Sequence, residues 1–266
     1  MPNAAIRAVG GTVKLSLYDV ILRGLRVLIT VELSTKPKRH RYPASIISFA
    51  VWSYHRFNDS YRDVSERLAF RGITVSYEAI RNWCQKFGSD FTSVIKKRER
   101  KPTGKWHLDE MNIKIGGKKY ILWRAVDSQG QELDVFLQTR RNKKAATRFL
   151  SRLLGCYPSP RVLVSDKLRS YVKPVKCMMP GTDHRRHKGL NNRAENSHQP
   201  TRRKEKCLVK FKSPKGAQQT LSLMGRVRNI FSVNVGRYKQ AAHERRIQFN
   251  LSKNIWDDAA KEILCA

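Results

Sequence analysis

The stretch KWHLDEMNIKIGGKKYILWRAVDSQGQELDVFLQTR, residues 105–140, contains apolar runs typical of β-strands, from which the fold class of this chain is predicted. Gly116–Gly117 and the segment 127–130 carry turn signals that divide it into three runs. The stretch therefore predicts three antiparallel strands joined by two hairpins.

The segments that follow extend this pattern into a mixed α/β domain. NKKAATRFLSRLLG (142–155) has helical periodicity, RVLVSDK (161–167) is a short apolar strand, and a helix is expected from about Asn192. Three antiparallel strands, a helix, a strand and a helix are the element order of an RNase H-like domain, whose sheet presents acidic residues at the strand ends. Helical patterns over 216–231 and 239–264 complete the chain.

The segment before the strands is helical in pattern. Residues 43–57 place apolar side chains on one stripe, and residues 58–72 open with capping residues and close on Gly72. A third helix begins after Ser76, a predicted N-cap. Its apolar face consists of Ile80, Trp83, Cys84 and Phe87, and its polar face includes Glu78, Arg81, Asn82 and Gln85.

Two helices joined by a Gly-containing turn, with an outward polar face on the second, predict a helix-turn-helix that reads a major groove. The candidate DNA contacts are Ser76, Tyr77, Arg81, Asn82 and Gln85. An ordinary helical hairpin with a solvated face is the alternative.

The predicted organisation has five parts. They are an N-terminal extension or linker (1–38), a helix-turn-helix DNA-binding domain (39–94), a basic linker (95–104), an RNase H-like catalytic domain (105–232) and a helical tail (233–266). The apolar segment 12–33 is interrupted by Asp19, Arg23 and Arg26, so no membrane span is predicted there.

The charge of the chain indicates a polyanionic partner. Lys and Arg number 54 against 21 Asp and Glu among 266 residues, a formal net charge of +33, while 40% apolar residues indicate a folded protein. Double-stranded DNA is the expected partner, and a merely solvated basic surface is the alternative. Five scattered cysteines predict reduced thiols in a cytoplasmic protein, and the DNA partner implies association with the nucleoid.

Three acids stand out in this basic chain. Asp109 lies on the first strand, Asp166 ends the fourth, and Glu195 lies in the basic run HKGLNNRAENSHQPTRRKEK (187–206). The first and fourth strands are neighbours in an RNase H-like sheet, so the two aspartates can face each other while a helix brings Glu195 alongside. Carboxylates suit Mg²⁺, and two ions roughly 3.5–4 Å apart stabilise the attacking and leaving oxygens of phosphodiester chemistry.

Each acid also has a structural alternative. Asp166 could cap the following segment, and Glu195 could pair with Arg202 or His198. Among the competing acids, Asp127 and Asp134 have the positions of structural residues. Glu110 is expected to point away from Asp109, because successive strand residues face opposite sides. Asp183 is a further competing acid.

Three basic residues are candidates for supporting roles. His198 should share a helix face with Glu195, where it could orient the glutamate or contact the scissile phosphate. Arg202 and Lys167 could contact phosphate.

Several blocks resemble bacterial DDE transposases of the insertion sequence six family. They are KWHLDEM (105–111), LWRAVDSQGQELDVFLQTRRNKKAATRFL (122–150), RVLVSDKLRSY (161–171), the run 178–206 and the helical stretch 40–88, within about 39–232. The resemblance implies that Asp109, Asp166 and Glu195 form the DDE triad. It implies Mg²⁺-dependent strand transfer, with Mn²⁺ as a substitute, recognition of terminal inverted repeats, and an assembly of at least two copies.

Three other functions stay open. An RNase H-like nuclease or resolvase would use the same metals but cut without joining, and a non-catalytic regulator would use only the helix-turn-helix. The third alternative is an inactive relic with an intact core. It stays open because residues 1–38 have no counterpart in the family and the segment after Ala241 matches weakly.

Overall fold

The computed structural model describes residues 35–166, 169–187, 196–232 and 241–265. Within these residues, three helices come first: α1 (Ala44–Arg56), α2 (Tyr61–Ala69) and α3 (Tyr77–Arg98). The middle part contains β1 (Lys105–Ile115), β2 (Lys118–Asp127), β3 (Glu132–Gln138), α4 (Lys143–Leu154), β4 (Val162–Ser165), a 3₁₀ turn (Arg169–Tyr171), α5 (Val172–Met178) and β5 (Asp183–Arg186). The last helices are α6 (Gln199–Cys207), α7 (Pro214–Phe231) and α8 (Ala241–Leu264).

The first helices start where their capping residues predict. Ser60 and Asp63 form a reciprocal capping box at α2, and the Ser76 hydroxyl accepts the Ala79 amide at α3. Gly72 adopts a φ of +77° in the connection between α2 and α3, a conformation that glycine adopts without strain. The predicted apolar face of α3 is buried.

The N-terminal helices share one core with the C-terminal helices. The side chains of α1, α2 and α3 pack with those of α7 and α8, and Trp256 stacks on Phe91 with ring centroids 4.4 Å apart. The helix predicted over 239–264 is present as α8 in its described part. It is a component of this first core rather than a peripheral addition to the sheet.

The predicted basic linker, residues 95–104, begins inside a helix. Its first four residues belong to α3, because Ile95 is fully buried in the first core and keeps the last turn helical. The sequence pattern missed this because lysines and arginines dominate the segment. Only residues after Arg98 connect α3 to β1.

The sheet has the predicted α/β, RNase H-like arrangement, with strand order β3-β2-β1-β4-β5. The first three strands are antiparallel, and β4 pairs parallel to both β1 and β5. Strand β5 was not predicted, because its four residues, DHRR, are polar and lack an alternating pattern. It is an edge strand, and its backbone pairing with β4 holds it in the sheet.

Helices cover both faces of the sheet. On one face Trp106 and Leu108 of β1 pack with α4 and α5, and on the other Met111 and Ile113 pack with α7. Even-numbered and odd-numbered side chains of β1 therefore face opposite layers, as strand geometry requires. Helix α7 contacts this sheet and also the first core.

All five cysteines are free thiols, as predicted. In the part of the chain that the structure describes, no helix combines the length and apolar character needed to cross a bilayer.

Candidate active site

The strand register brings Asp109 and Asp166 to the same point of the sheet. Leu108 of β1 pairs with Ser165 of β4 in parallel register, so Asp109 and Asp166 are the next residues of two adjacent strands. One carboxylate oxygen from each, and one from Glu110, lie within 4.8 Å of one another. The strand neighbourhood predicted for the two aspartates is therefore present.

The position of Glu110 differs from the prediction, because its carboxylate lies beside those of Asp109 and Asp166. It contacts Arg141 at the start of α4, whereas Asp109 contacts His198, so the two neighbours extend to opposite sides of β1 as alternation requires. Asp166 lies at the open end of β4, where both side chains reach it. Glu110 thus points opposite to Asp109, as predicted, but the expectation that it faces away from the site was wrong, because Asp166 lies beyond the end of β4 and is reached from both faces.

Glu110 is the most buried member of this acidic cluster. Its side chain is 1% exposed, against 18% for Asp109 and 30% for Asp166. Burial raises the pKa of Glu110 to about 7; the charge of Asp166 adds to the rise, and the Tyr171 hydroxyl and Arg141 partly oppose it. Near neutral pH, Glu110 is thus close to its titration point.

His198 connects Asp109 to the start of α6. Its Nε2 lies 3.0 Å from Oδ2 of Asp109, and the imidazole is almost fully buried. Helix α6 begins at Gln199, with Pro200 in its first turn, a position that suits the fixed φ of proline. The described helix thus starts immediately after the residue that contacts the carboxylate.

Arg124 holds the same segment from the neighbouring strand. It is the cross-strand partner of Asp109, and its buried guanidinium donates to the Ser197 carbonyl and the Thr201 hydroxyl. Glu132 of β3 lies 3.5 Å away and balances its charge. Burial lowers the pKa of Arg124, and Glu132 opposes that effect. Arg124 and His198 together fix the start of α6 against the strand that carries Asp109.

The remaining predicted residues have different outcomes. Glu195, Lys167 and the predicted capping residue Asn192 lie outside the described residues. Arg202 is exposed on α6, in the turn after His198.

The competing acids have structural roles. Asp127 accepts the amides of Gln129 and Gln131 at the hairpin, as a turn residue does. Asp134 pairs with Arg152 of α4, and Asp183 pairs with Arg185 within β5.

The predicted recognition residues lie on the exposed side of α3. Arg81 pairs with Glu78 at 2.9 Å, and the ring of Tyr77 lies under the guanidinium of Arg62. Asn82 and Gln85 are exposed beside them. These side chains form one polar surface at the N-terminal half of the helix.

Sequence reasoning missed two arginines of this site. Arg141 lies in a run of basic residues and resembles its neighbours in sequence. Arg124 is a lone arginine in an apolar strand, and the sequence does not show which residues it contacts. The burial of Arg124 beside Glu132 could have been suspected, because a charged residue on an otherwise apolar strand needs a partner.

The chemistry of the cluster fits a hard divalent cation. Its donors are all carboxylate oxygens, the ligands that Mg²⁺ and Mn²⁺ prefer. Oε1 of Glu110 is buried and has no hydrogen-bond partner among the described residues. An oxygen left in that state is costly unless a cation or a proton compensates it.

Comparison with known proteins finds similar sequences. A family profile described as "DDE domain" matches residues 103–234. The transposase for insertion sequence-like element IS431mec of Staphylococcus aureus (strain Mu50) is 34% identical over 163 residues, covering 59% of this chain and 73% of that protein. The transposase for insertion sequence element IS257 in transposon Tn4003 of Staphylococcus aureus matches with the same identity and coverage.

A solved structure, the HTLV-2 integrase catalytic core domain in complex with magnesium (trimeric form), aligns with 53% of this chain and 93% of that chain. Its TM-score is 0.37 and its sequence identity is 16%.

Proposed function

The chain belongs to the insertion sequence six family of bacterial DDE transposases, and from this membership we propose that Asp109, Asp166 and Glu195 are its catalytic triad. As a transposase it is a polynucleotidyl transferase that acts in DNA transposition. The proposed reaction is Mg²⁺-dependent cleavage at the transposon ends followed by strand transfer into target DNA.

The observation that carries this proposal is the acidic cluster in a strongly basic chain. Carboxylate oxygens of Asp109 and Asp166 lie within 4.8 Å of each other, in a protein with a net charge of +33. A surface that only coats DNA would gain nothing from adjacent acids, since they repel phosphate. Acids that bind cations between protein and phosphate explain both features.

Asp109 and Asp166 are the proposed ligands from the sheet, and Glu195 the proposed ligand from the segment before α6. When bound, two Mg²⁺ ions, or Mn²⁺ in their place, would stabilise the negative charge on the attacking and leaving oxygens. Water or a DNA 3′-hydroxyl attacks phosphorus in line, and no covalent protein–DNA intermediate forms.

The other residues have binding and orienting roles in this proposal. His198 orients the Asp109 carboxylate through its 3.0 Å contact. Lys167 and Arg202 contact DNA phosphates.

Alanine substitutions test the triad. Asp109→Ala, Asp166→Ala and Glu195→Ala should each abolish Mg²⁺-dependent strand transfer while binding of labelled ends stays nearly intact. Asp183→Ala is the matched control, since that acid pairs with Arg185 on β5. A triad variant that keeps the transfer rate of the unmodified protein would not be a ligand. If joined product never appears but cut product does, the protein is a nuclease.

We propose that residues 39–94 recognise the terminal inverted repeats through the polar surface of α3. Exposed Arg81, Asn82 and Gln85 are suited to contact base edges. Asn82→Ala should reduce the preference for repeat over random DNA, with a loss of about 1–3 kcal/mol for the repeat alone. Lys86→Ala, one turn further, should weaken both DNAs equally. Equal losses for both DNAs in Asn82→Ala would contradict base readout.

The assembly and location follow from the same substrate. Two transposon ends must be paired, so we propose at least a dimer, acting in the bacterial cytoplasm at the nucleoid. Analytical ultracentrifugation with and without end DNA measures the assembly. A strictly monomeric protein on paired ends would contradict it.

A further inference from the structure

One guanidinium bridges two carboxylates at the edge of the acidic cluster. The Nη2 of Arg141 lies 2.8 Å from Oε2 of Glu110 and 3.0 Å from Oδ2 of Asp166. Its Nε lies 3.0 Å from the same Glu110 oxygen. The proposed ligand Asp166 thus already has a cationic partner belonging to the chain.

The two ends of this bridge differ in burial. The Glu110 side chain is 1% exposed, while those of Arg141 and Asp166 are 43% and 30% exposed. The Glu110 contact involves two nitrogens and a buried carboxylate, whereas the Asp166 contact involves one nitrogen and a partly exposed carboxylate. The contact with Asp166 is therefore the weaker one and breaks first.

The backbone of Arg141 is fixed next to the site. Asn142 caps α4 by accepting the Ala145 amide, so the residue before it is held at the helix start. The side chain can change partners while the main chain stays in place.

We propose that Arg141 is a built-in counter-ion that competes with the divalent cation for Asp166. Without the cation, it neutralises carboxylates that would otherwise repel each other. When the cation binds, its charge repels the guanidinium, which leaves Asp166 and stays on Glu110. Glu110 is thus the anchor of Arg141. The inference rests on the proposed function, because it takes Asp109 and Asp166 as ligands.

Binding of Mn²⁺ to the full chain without DNA tests this, with free Mn²⁺ measured by electron paramagnetic resonance. Arg141→Gln should bind Mn²⁺ about tenfold more tightly, since a competing charge at contact distance is removed. Arg140→Gln is the matched control; it removes the same charge from the neighbouring exposed position and should change affinity less than about twofold. Equal or weaker binding by Arg141→Gln than by Arg140→Gln would overturn the proposal.

A second pair of variants covers the case in which Arg141→Gln does not fold, since it leaves Glu110 buried without its partner. Glu110→Gln and Glu110→Gln/Arg141→Gln keep the shape of the site and leave no charge at position 110. The double variant should again bind about tenfold more tightly than the single one. No difference between them would overturn the proposal.

Asp109→Asn separates this inference from the proposed function. If it removes Mn²⁺ binding while Arg141→Gln behaves like Arg140→Gln, the metal site stands and the counter-ion role fails. If no binding depends on Asp109, both fail.

Discussion

The Nε2 of His198 lies 3.0 Å from Oδ2 of Asp109, although 89 positions separate the two residues in the chain. The imidazole is 6% exposed, so water competes poorly for this contact. Through it the start of α6 is attached to β1 at the acidic cluster. Whatever shifts α6 therefore also shifts a carboxylate of the candidate site.

Replacing His198 should impair strand transfer without impairing DNA binding. His198→Gln removes the ring that fixes the Asp109 carboxylate, and loss of such a supporting contact typically costs about 10–100-fold in metal affinity or activity. Strand transfer measured against Mg²⁺ concentration should show a higher half-saturating concentration. His243→Gln, at an exposed position of α8, is the control and should leave the curve unchanged. An unchanged Mg²⁺ dependence in His198→Gln would rule out this role.

Arg124 should be irreplaceable by lysine, although the charge is the same. Its fork donates to both Ser197 and Thr201, and a lysine cannot reproduce two such directions. Arg124→Lys should lower the transfer rate by about 10-fold or more, since small misplacements of catalytic groups are expensive, while end binding is retained. Lys119→Arg, at an exposed position of the same strand, is the control. Full activity of Arg124→Lys would mean that α6 is positioned by other contacts.

The contacts of α6 show why sequence reasoning found part of this site and missed the rest. The strand-like runs and the apolar run that ends at Asp166 were enough to expect Asp109 beside Asp166, because the first and fourth strands are neighbours in an RNase H-like sheet. Arg124 and Arg141 could not be assigned, because their partners lie on other elements and no local pattern encodes such distances. Local signals performed best at helix starts, where Ser60 and Ser76 cap the helices that follow them.

The same limit applies to the boundaries between parts of the chain. Capping and periodicity predicted α1, α2 and α3, but not that α7 and α8 complete their core. Charge composition suggested a linker from residue 95, yet Ile95 is buried and extends the helix. Burial depends on what packs against a segment, and composition alone does not contain that information.

Gly225 should not tolerate a methyl group. A Cβ at this position of α7 would overlap Oε1 of Glu132, the partner of Arg124. Gly225→Ala must displace a buried carboxylate, and we expect a loss of about 2 kcal/mol in the free energy of unfolding, measured with urea. Gly88→Ala in α3 is the matched control. Nothing lies within 4 Å of its Cβ, so alanine should stabilise by about 0.5–1 kcal/mol. Similar stabilities for both variants would contradict the close approach at Gly225.

Acid should destabilise the first core through His55. This residue is buried in α1, where Nδ1 lies 2.7 Å from the Val51 carbonyl oxygen, and burial lowers its pKa from 6.5 to about 3. Below pH 6.5 the unfolded chain binds a proton that the folded chain refuses, so the stability present above pH 6.5 is lost as the pH falls toward 3.

The loss assigned to His55 should reach about 3 kcal/mol between pH 6.5 and pH 4. His55→Gln cannot titrate, so its stability measured by urea unfolding should fall less over that range. His243→Gln, which removes an exposed histidine, should follow the unmodified protein. Parallel pH profiles for His55→Gln and the unmodified protein would show that another group causes the acid sensitivity.

Helix α7 presents Leu223, Val227 and Phe231 to the first core and Leu221 and Met224 to the sheet. Helix α7 thus contributes side chains to both hydrophobic cores, so the first core cannot form from the N-terminal helices alone. A fragment that ends near residue 100 would lack the side chains of α7 and α8 that pack in the first core. Exchanging only the first hundred residues between relatives would join mismatched surfaces. If α3 reads the transposon ends as proposed, new end specificities are therefore expected to arise by substitutions on α3 and not by exchange of the whole N-terminal segment.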